Sequence, residues 1–440
     1  MKHIETTRTE LAVIGSGLAG LAASYFAAAS GVKTCQTGIS GGILYATGFL
    51  DVMGVHPIDS GPSRNRFRLD PAEAIDSVRA DMPDHPYARL KTADIFDAVH
   101  RFMSFLEKIG LGYRYKKGRN TLVFSSVGTI KPTYAVPESM WEGALALENR
   151  LPCLMVDFWG LKGYSALQIV ETFASRWPGL KNIRIAFPVP QASADLYPEH
   201  AARCLELDEN IEKLAKEIGA NLNSSAAVGL PAVCGIMRTR QIVASLSEIL
   251  GVPVFEVPTM PPSVPGLRIK EHLESALVEI GVLRFPQQRV NAVHRDKDNC
   301  FVLDIGVMGD ISGKTVCHKV IADAVILASG RFLGMGLCAG RKAISEPLFN
   351  LPVFQPEKRL AWHRDDFFDP SGHPLNRAGI EVNQSFMPVN AEKSPVYENL
   401  FACGSILAHQ DWIRQKCGAG LSVATAYAAV QSAVNFLGRV

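Results

Sequence analysis

A short apolar run, Leu11 to Ile14, leads straight into Gly15-Ser16-Gly17-Leu18-Ala19-Gly20, and the small, apolar stretch Leu21 to Ala29 follows at once. No other feature of the chain restricts its fold as much. Such a run suits a strand buried on both faces of a parallel sheet. The small residues after it suit a helix packed tightly on that sheet, and Gly31 stops the helix. Val32 to Thr37 then reads as a second strand. Strand, glycine turn, helix and strand make one βαβ unit at the very start.

Glycine pairs also make ordinary turns, so a G-x-G-x-x-G motif counts only in its context, and here the context is met. Gly15 permits the tight turn, Gly17 lets the backbone approach a pyrophosphate, and Gly20 lets helix and strand pack closely. The helix N-terminus then faces the phosphates with free N–H groups and a partial positive charge. One part of the fingerprint is missing. The end of the second strand usually offers Asp or Glu to a ribose hydroxyl, and this chain has Gln36-Thr37-Gly38 there. Thr37 or Gln36 could make a weaker neutral hydrogen bond. The gap argues against a rapidly exchanging NAD site and leaves open a flavin held through other contacts.

Further glycine turns extend the same reading. Ser40-Gly41-Gly42, then Ala46 to Asp51, form a small-residue loop that can lie against a flat ring because no side chain blocks the approach. Ser329-Gly330 closes the apolar strand Val320 to Leu327. Leu400 to Cys403 reads as a last strand ending at Gly404-Ser405, and Gly418-Ala419-Gly420-Leu421 opens a helix running to about Leu437. That helix N-terminus, with Gly420 and Leu421, is expected to stabilise negative charge at the pyrimidine end of a reduced flavin. Motifs at opposite ends of the chain would thus meet on one cofactor.

Length and composition frame the rest. The chain has 440 residues, enough for two or three domains of about 150. Hydrophobic residues at 47% and charged residues at 20% exclude a disordered chain. Lys plus Arg at 45 against Asp plus Glu at 43 leaves no general electrostatic case for nucleic acid or an anionic membrane. The nine cysteines contain no C-x-x-C pair, so no metal or iron–sulfur site is expected, only reduced thiols. MKHIETTRTE lacks the apolar core of a signal peptide. Apolar runs stop well short of the roughly 20 residues that span a bilayer. A cytoplasmic protein is expected, with any attachment to the inner membrane made through a partner.

The texture changes between His56 and about Pro265, where helical stretches (Ala93 to Ile109, Gln168 to Arg176) mix with a hairpin-like section (Asn120 to Val136) and proline-rich connectors. The expected fold class is α/β, a Rossmann-like dinucleotide-binding flavoprotein domain with an inserted second α+β domain. The expected segments are 1–55 and 266–440 for flavin, and 56–265 for an inserted substrate or cap domain.

The combination resembles the flavoproteins with two dinucleotide-binding folds. Several stretches narrow the resemblance: Gly128 to Thr133 with Val136 to Met140, Pro261 to Arg268, Ser329-Gly330-Arg331-Phe332-Leu333-Gly334, and Gly404 to Gly420. Together they resemble the B subunit of anaerobic glycerol-3-phosphate dehydrogenase over most of the chain. The resemblance implies a flavoprotein subunit that pairs with a larger flavin-bearing A subunit and a membrane-associated iron–sulfur C subunit. It implies oxidation of a small phosphorylated substrate, glycerol 3-phosphate, to dihydroxyacetone phosphate, with electrons passed to quinone. That family is commonly described with FMN, whereas the βαβ fingerprint suits the adenosine diphosphate part of FAD. FAD is therefore expected, with FMN the alternative. Ala408-His409-Gln410-Asp411-Trp412 departs from the family, which more often carries a glycine-rich stretch there.

The candidate polar residues are Lys131, Arg331, His409 and Arg414. A cation in a flavin cleft binds a phosphate or an anionic flavin, and His409 could act as a general base toward a hydroxyl. Two other readings stay open. One is an electron-transfer subunit with no substrate site of its own. The other is an independent FAD enzyme acting on another small acid.

Overall fold

The computed structural model describes residues 5–39, 42–58, 67–189, 194–307 and 316–439. The chain forms two units, one of residues 1–43, 51–105 and 273–440, the other of residues 44–50 and 106–272.

The first unit is built on a seven-stranded sheet. Its parallel part runs in the order Leu283–Pro286, Thr34–Gly38, Glu5–Ile14, His318–Leu327, Leu400–Ala402. Strand His318–Leu327 pairs with Glu5–Ile14 along its length, and with Leu400–Ala402 only over its last three residues. Two antiparallel strands, Gln288–Arg295 and Phe301–Val307, fold back from it as a meander. The central strands read as continuous apolar runs because both faces are covered; Leu11, Ala12 and Val13 are fully buried, as are Val325 to Leu327.

Helix Leu18–Ala29 packs against the last helix, Gly418–Phe436. Alanines and glycines on both let the axes approach closely. Phe26 meets Tyr427 edge to face at 5.0 Å, and Tyr25 stacks on Phe105 at 3.8 Å. The helix begins at Leu18, so the last half of the glycine motif lies inside its first turn.

Residues 67–105 cluster with this first unit, where the sequence reading placed everything from 56 onward in the insertion. The reason is distant in the chain. His85 Nε2 meets Gln415 Oε1, the Tyr87 hydroxyl donates to the Val52 carbonyl, and Phe102 packs on Phe26. Conversely, 44–50 belongs to the second unit, tied there by Leu50 pairing with Ala135 and by Ser263 donating to the Leu44 carbonyl.

The second unit contains a parallel four-stranded sheet in the order Val254–Val257, Ala227–Pro231, Cys153–Phe158, Leu180–Ile185. The expected hairpin is present as Thr121–Phe124 against Ile130–Thr133, beside a second small pair, Tyr113–Tyr115 with Ala135–Pro137. The second unit therefore combines a parallel sheet with small antiparallel pairs and helices. Its short strands are separated by helices of ordinary length, a pattern that composition alone blurs. Among the described residues, no helix is long and apolar enough to cross a membrane.

Candidate functional site

Strands Glu5–Ile14, His318–Leu327 and Leu400–Ala402 run parallel and end at one edge of the first unit's sheet. In open α/β sheets this carboxyl edge is where ligands bind. The turns leaving it are locked together: the Ala328 N–H donates to the Ile14 carbonyl at 2.8 Å, and the Cys403 N–H to the Leu327 carbonyl at 3.0 Å.

Gly15 sits in the middle of this edge at φ +137°, its N–H bonded to the Thr37 carbonyl at 2.8 Å. A Cβ there would lie 2.2 Å from the Ala328 oxygen. A Cβ on Gly20 would lie 2.0 Å from the Gly15 oxygen, so the helix rests directly on the turn. Gly17 differs. Its backbone is extended (φ −81°, ψ 179°) and a Cβ would meet nothing within 4 Å. As helix N-cap it offers no side chain to the first-turn N–H groups, and no acidic residue stands in that turn. Those donors are left for an external anion.

The far end of the chain completes the cradle. Gly404, at φ +79°, lies so close to the first helix that a Cβ would stand 2.5 Å from that of Ala19. Its N–H is held by the Thr425 hydroxyl at 2.9 Å. The Ser329 hydroxyl, between these turns, is buried with no hydrogen-bond partner among the described residues. An orphaned buried hydroxyl costs about 1–3 kcal/mol, so a ligand that bonds to it recovers that cost. Gly330, at φ +70°, faces the Ser405 hydroxyl.

At the last helix, Gly420 donates its N–H to the Asp51 carbonyl at 2.8 Å and Leu421 donates to the Cys417 carbonyl. These two expected cofactor contacts are thus spent inside the fold, and the first-turn donors that remain are those of Gly418 and Ala419. Thr37 is likewise engaged: its hydroxyl donates to the Gln288 carbonyl at 3.0 Å. Gly42 opens a short 3-10 turn, Gly42–Tyr45. Ser40 and Gly41 lie outside the described residues.

The three expected catalytic residues share no hydrogen-bond partner among the described residues. Arg331 donates to the carbonyls of Ser405 (2.7 Å), Gln410 (2.8 Å) and Asn376. Burial pulls its guanidinium down to about 10, against the opposing charge of Asp411. Arg331 therefore ties three loop segments together, a positioning residue and not a group presented to substrate. Arg414 bonds Asp411 at 3.3 Å, and the same carboxylate oxygen accepts from Asn376. His409 sits at φ +63° with Nε2 2.8 Å from Glu381 Oε1 and its ring 4.0 Å from that of Phe354. Lys393 donates to the other Glu381 oxygen at 2.9 Å. Burial alone would raise the Glu381 carboxyl, but Lys393 and His409 more than reverse this and hold it below its ordinary value. His409, Glu381 and Lys393 line a cavity of about 330 Å³ that also takes in Arg89 and Asn383. Lys131 belongs to the second unit, its ammonium 5.0 Å from the Phe49 ring centre. Among the described residues no group of three or more His, Cys, Asp or Glu is placed to hold a metal ion.

Sequence spacing missed Glu381 and Lys393, and it missed His85. His85 is fully buried; its Nδ1 accepts from the Tyr87 N–H at 3.1 Å and its Nε2 meets Gln415 Oε1 at 3.3 Å. Burial lowers its pKa from 6.5 to about 3, so the imidazole is neutral. The unfolded chain takes up that proton below about 6.5, so stability falls as pH drops from 6.5 toward 3, by up to about 1.4 kcal/mol per pH unit. Urea melts across pH 7 to 4.5 are expected to show this slope, reduced by about one proton in His85→Gln. Equal slopes would show that His85 does not carry it.

Three parallel strand ends, a glycine cradle and unpaired donors define a dinucleotide-binding flavoprotein. Residues 10–421 match the model of the FAD binding domain family. The residues fit that cofactor at the pyrophosphate, where the open backbone at Gly17 and the orphaned Ser329 hydroxyl meet its needs. FAD, not FMN, is the cofactor. The chain is 30% identical to the probable anaerobic glycerol-3-phosphate dehydrogenase B subunit of Halobacterium salinarum, over 97% of its own length and 98% of that protein's. It is 28% identical to the anaerobic glycerol-3-phosphate dehydrogenase B subunit of Vibrio vulnificus, over 97% and 96%. Among solved structures it is similar to 3-ketosteroid delta1-dehydrogenase of Sterolibacterium denitrificans, covering 98% of this chain and 100% of that one, at 11% identity and a TM-score of 0.44. The chain belongs to the family of anaerobic glycerol-3-phosphate dehydrogenase B subunits, within the FAD-binding oxidoreductases.

Proposed function

We propose that this protein is the FAD subunit of a complex that oxidises glycerol 3-phosphate to dihydroxyacetone phosphate. Full-length similarity to proteins named as the B subunit of that enzyme carries the reading. The reaction removes two electrons and two protons from one carbinol, leaving a ketone. Bound FAD supplies the electron acceptor. His409 is the proposed proton acceptor: with Nε2–H given to the ionised Glu381, the Nδ1 lone pair is left to take a hydroxyl proton. Lys393 keeps Glu381 ionised and so keeps that tautomer. Arg414 remains the candidate for a substrate phosphate, and residues 44–50 and 106–272 the candidate substrate or cap domain.

A second reading, a relay subunit without its own substrate site, is favoured by one observation. The guanidinium groups of Arg331 and Arg414 are already hydrogen-bonded within the protein. Titrating the FAD-loaded chain with glycerol 3-phosphate separates the two, because only the first predicts reduction of the flavin absorbance.

Both readings need an outlet for electrons. A larger flavin-bearing A subunit and an iron–sulfur, membrane-associated C subunit are the proposed partners, with quinone the final acceptor. The chain expressed alone is expected to show little glycerol-3-phosphate:quinone activity, and adding both partners to restore it. Full turnover with quinone by the isolated chain would instead mark a self-sufficient dehydrogenase.

A further inference from the structure

The strand-end carboxylate that usually holds the adenosine ribose of a dinucleotide has no place in this fold. At Gly38 a Cβ would stand 2.6 Å from the Ser16 nitrogen and 2.7 Å from its hydroxyl oxygen, so neither Asp nor Glu fits there. Its strand neighbours are also occupied. Gln36 is buried with both ends of its amide engaged, Nε2 donating to the Gly15 carbonyl at 3.1 Å and Oε1 accepting from Arg284 Nε at 2.9 Å. Thr37 gives its hydroxyl proton to the Gln288 carbonyl. The strand thus offers a ribose neither a carboxylate nor an unengaged amide oxygen.

One acceptor stands opposite. Gln287, in the left-handed region at φ +56°, turns the chain between strands Leu283–Pro286 and Gln288–Arg295. That turn brings Gln288 directly across from Gly38 in antiparallel register. Residues opposed in this way share a face of the ladder, so the Gln288 side chain occupies the side that Gly38 leaves bare. Its Oε1 is buried and has no hydrogen-bond partner among the described residues.

We infer that Gln288 takes over the ribose contact, its Oε1 accepting a hydrogen bond from a hydroxyl of the adenosine ribose of FAD. The inference rests on the FAD assignment and adds a specificity determinant to it. A neutral amide oxygen accepts more weakly than a carboxylate, because charge-assisted bonds are roughly twice as strong. The fold thus trades a strong contact on the second strand for a weaker one delivered from the meander. FMN lacks the adenosine half, so Gln288 should distinguish the two flavins.

The test is titration of the full-length apoprotein with FAD and with FMN, read by quenching of flavin fluorescence. Gln288→Met keeps the side-chain length without the acceptor; it is expected to weaken FAD binding roughly tenfold and leave FMN unchanged. Gln288→Glu is expected to bind FAD at least as tightly as the wild type. Equal losses for both flavins, or no loss for either, would overturn the proposal while leaving the FAD assignment in place. A wild type that binds FMN and not FAD would overturn both. Should the methionine variant fail to fold, the glutamate variant decides: weakened FAD binding with FMN unchanged removes the proposed acceptor role.

Discussion

Gly17→Glu is expected to give a folded, colourless protein, whereas Gly15→Ala is expected to lose fold and flavin together. The wild type should purify yellow, with one tightly held, non-covalent flavin. At Gly17 the backbone is extended and the space beside it is open, so a side chain enters without strain. The damage is electrostatic. A carboxylate would stand at a helix N-terminus built to receive a diphosphate. Two like charges about 4 Å apart near a protein surface repel by about 4 kcal/mol, and FAD affinity should fall several hundredfold. At Gly15 the damage is steric, because the Cβ collides with the Ala328 carbonyl and φ is +137°. Such backbone strain alone costs on the order of 1–3 kcal/mol, before the clash is counted. Near-UV circular dichroism reports the fold and visible absorbance the flavin. A yellow Gly17→Glu protein would mean that the pyrophosphate does not lie on this turn.

Arg331→Ala should destabilise the protein by about 2–4 kcal/mol, since three main-chain carbonyls lose a charged donor at once. The carbonyls are those of Ser405 and Gln410, beyond strand Leu400–Ala402, and of Asn376, in the turn Pro374–Arg377. Arg331→Lys should rescue little of this. One ammonium cannot replace a planar fork aimed at three oxygens. The measurement is denaturant unfolding followed by tryptophan fluorescence, with flavin release as a second signal. An Arg331→Ala protein of unchanged stability that has lost only substrate-dependent flavin reduction would return Arg331 to the catalytic role its sequence position suggested.

How much was legible in the sequence depends on how far apart the interacting residues lie. The βαβ unit and its glycine turn could be read from the chain, because Gly15, Gly17 and Gly20 act on backbone within a few residues of themselves. The apolar strand Leu11–Ile14 and the end of Val320–Leu327 were equally visible, since burial on both faces leaves a continuous hydrophobic signature. The meeting of the two termini was legible as well, because each carried its own glycine-ended strand. The roles of side chains were not. Arg331 looked like a substrate cation, yet its partners lie 45 to 79 residues away and are all main-chain carbonyls. Glu381 stands 28 residues from His409 with nothing in the spacing to connect them. Residues 67–105 looked like part of the insertion, whereas their packing on Phe26, Val52 and Gln415 clusters them with the first unit.

The ribose position shows the division most sharply. Sequence alone determined that the second strand ends without a carboxylate, since that follows from reading Gln36-Thr37-Gly38. Only the tertiary structure decided why, because the contact between a Gly38 Cβ and Ser16 exists only once the glycine turn is folded against the strand. Only the structure, too, could bring Gln288 across from Gly38, 250 residues away along the chain. Local hydrogen bonding and burial are written in neighbouring residues. The pairing of distant polar groups is set by which strands the closing sheet lays side by side.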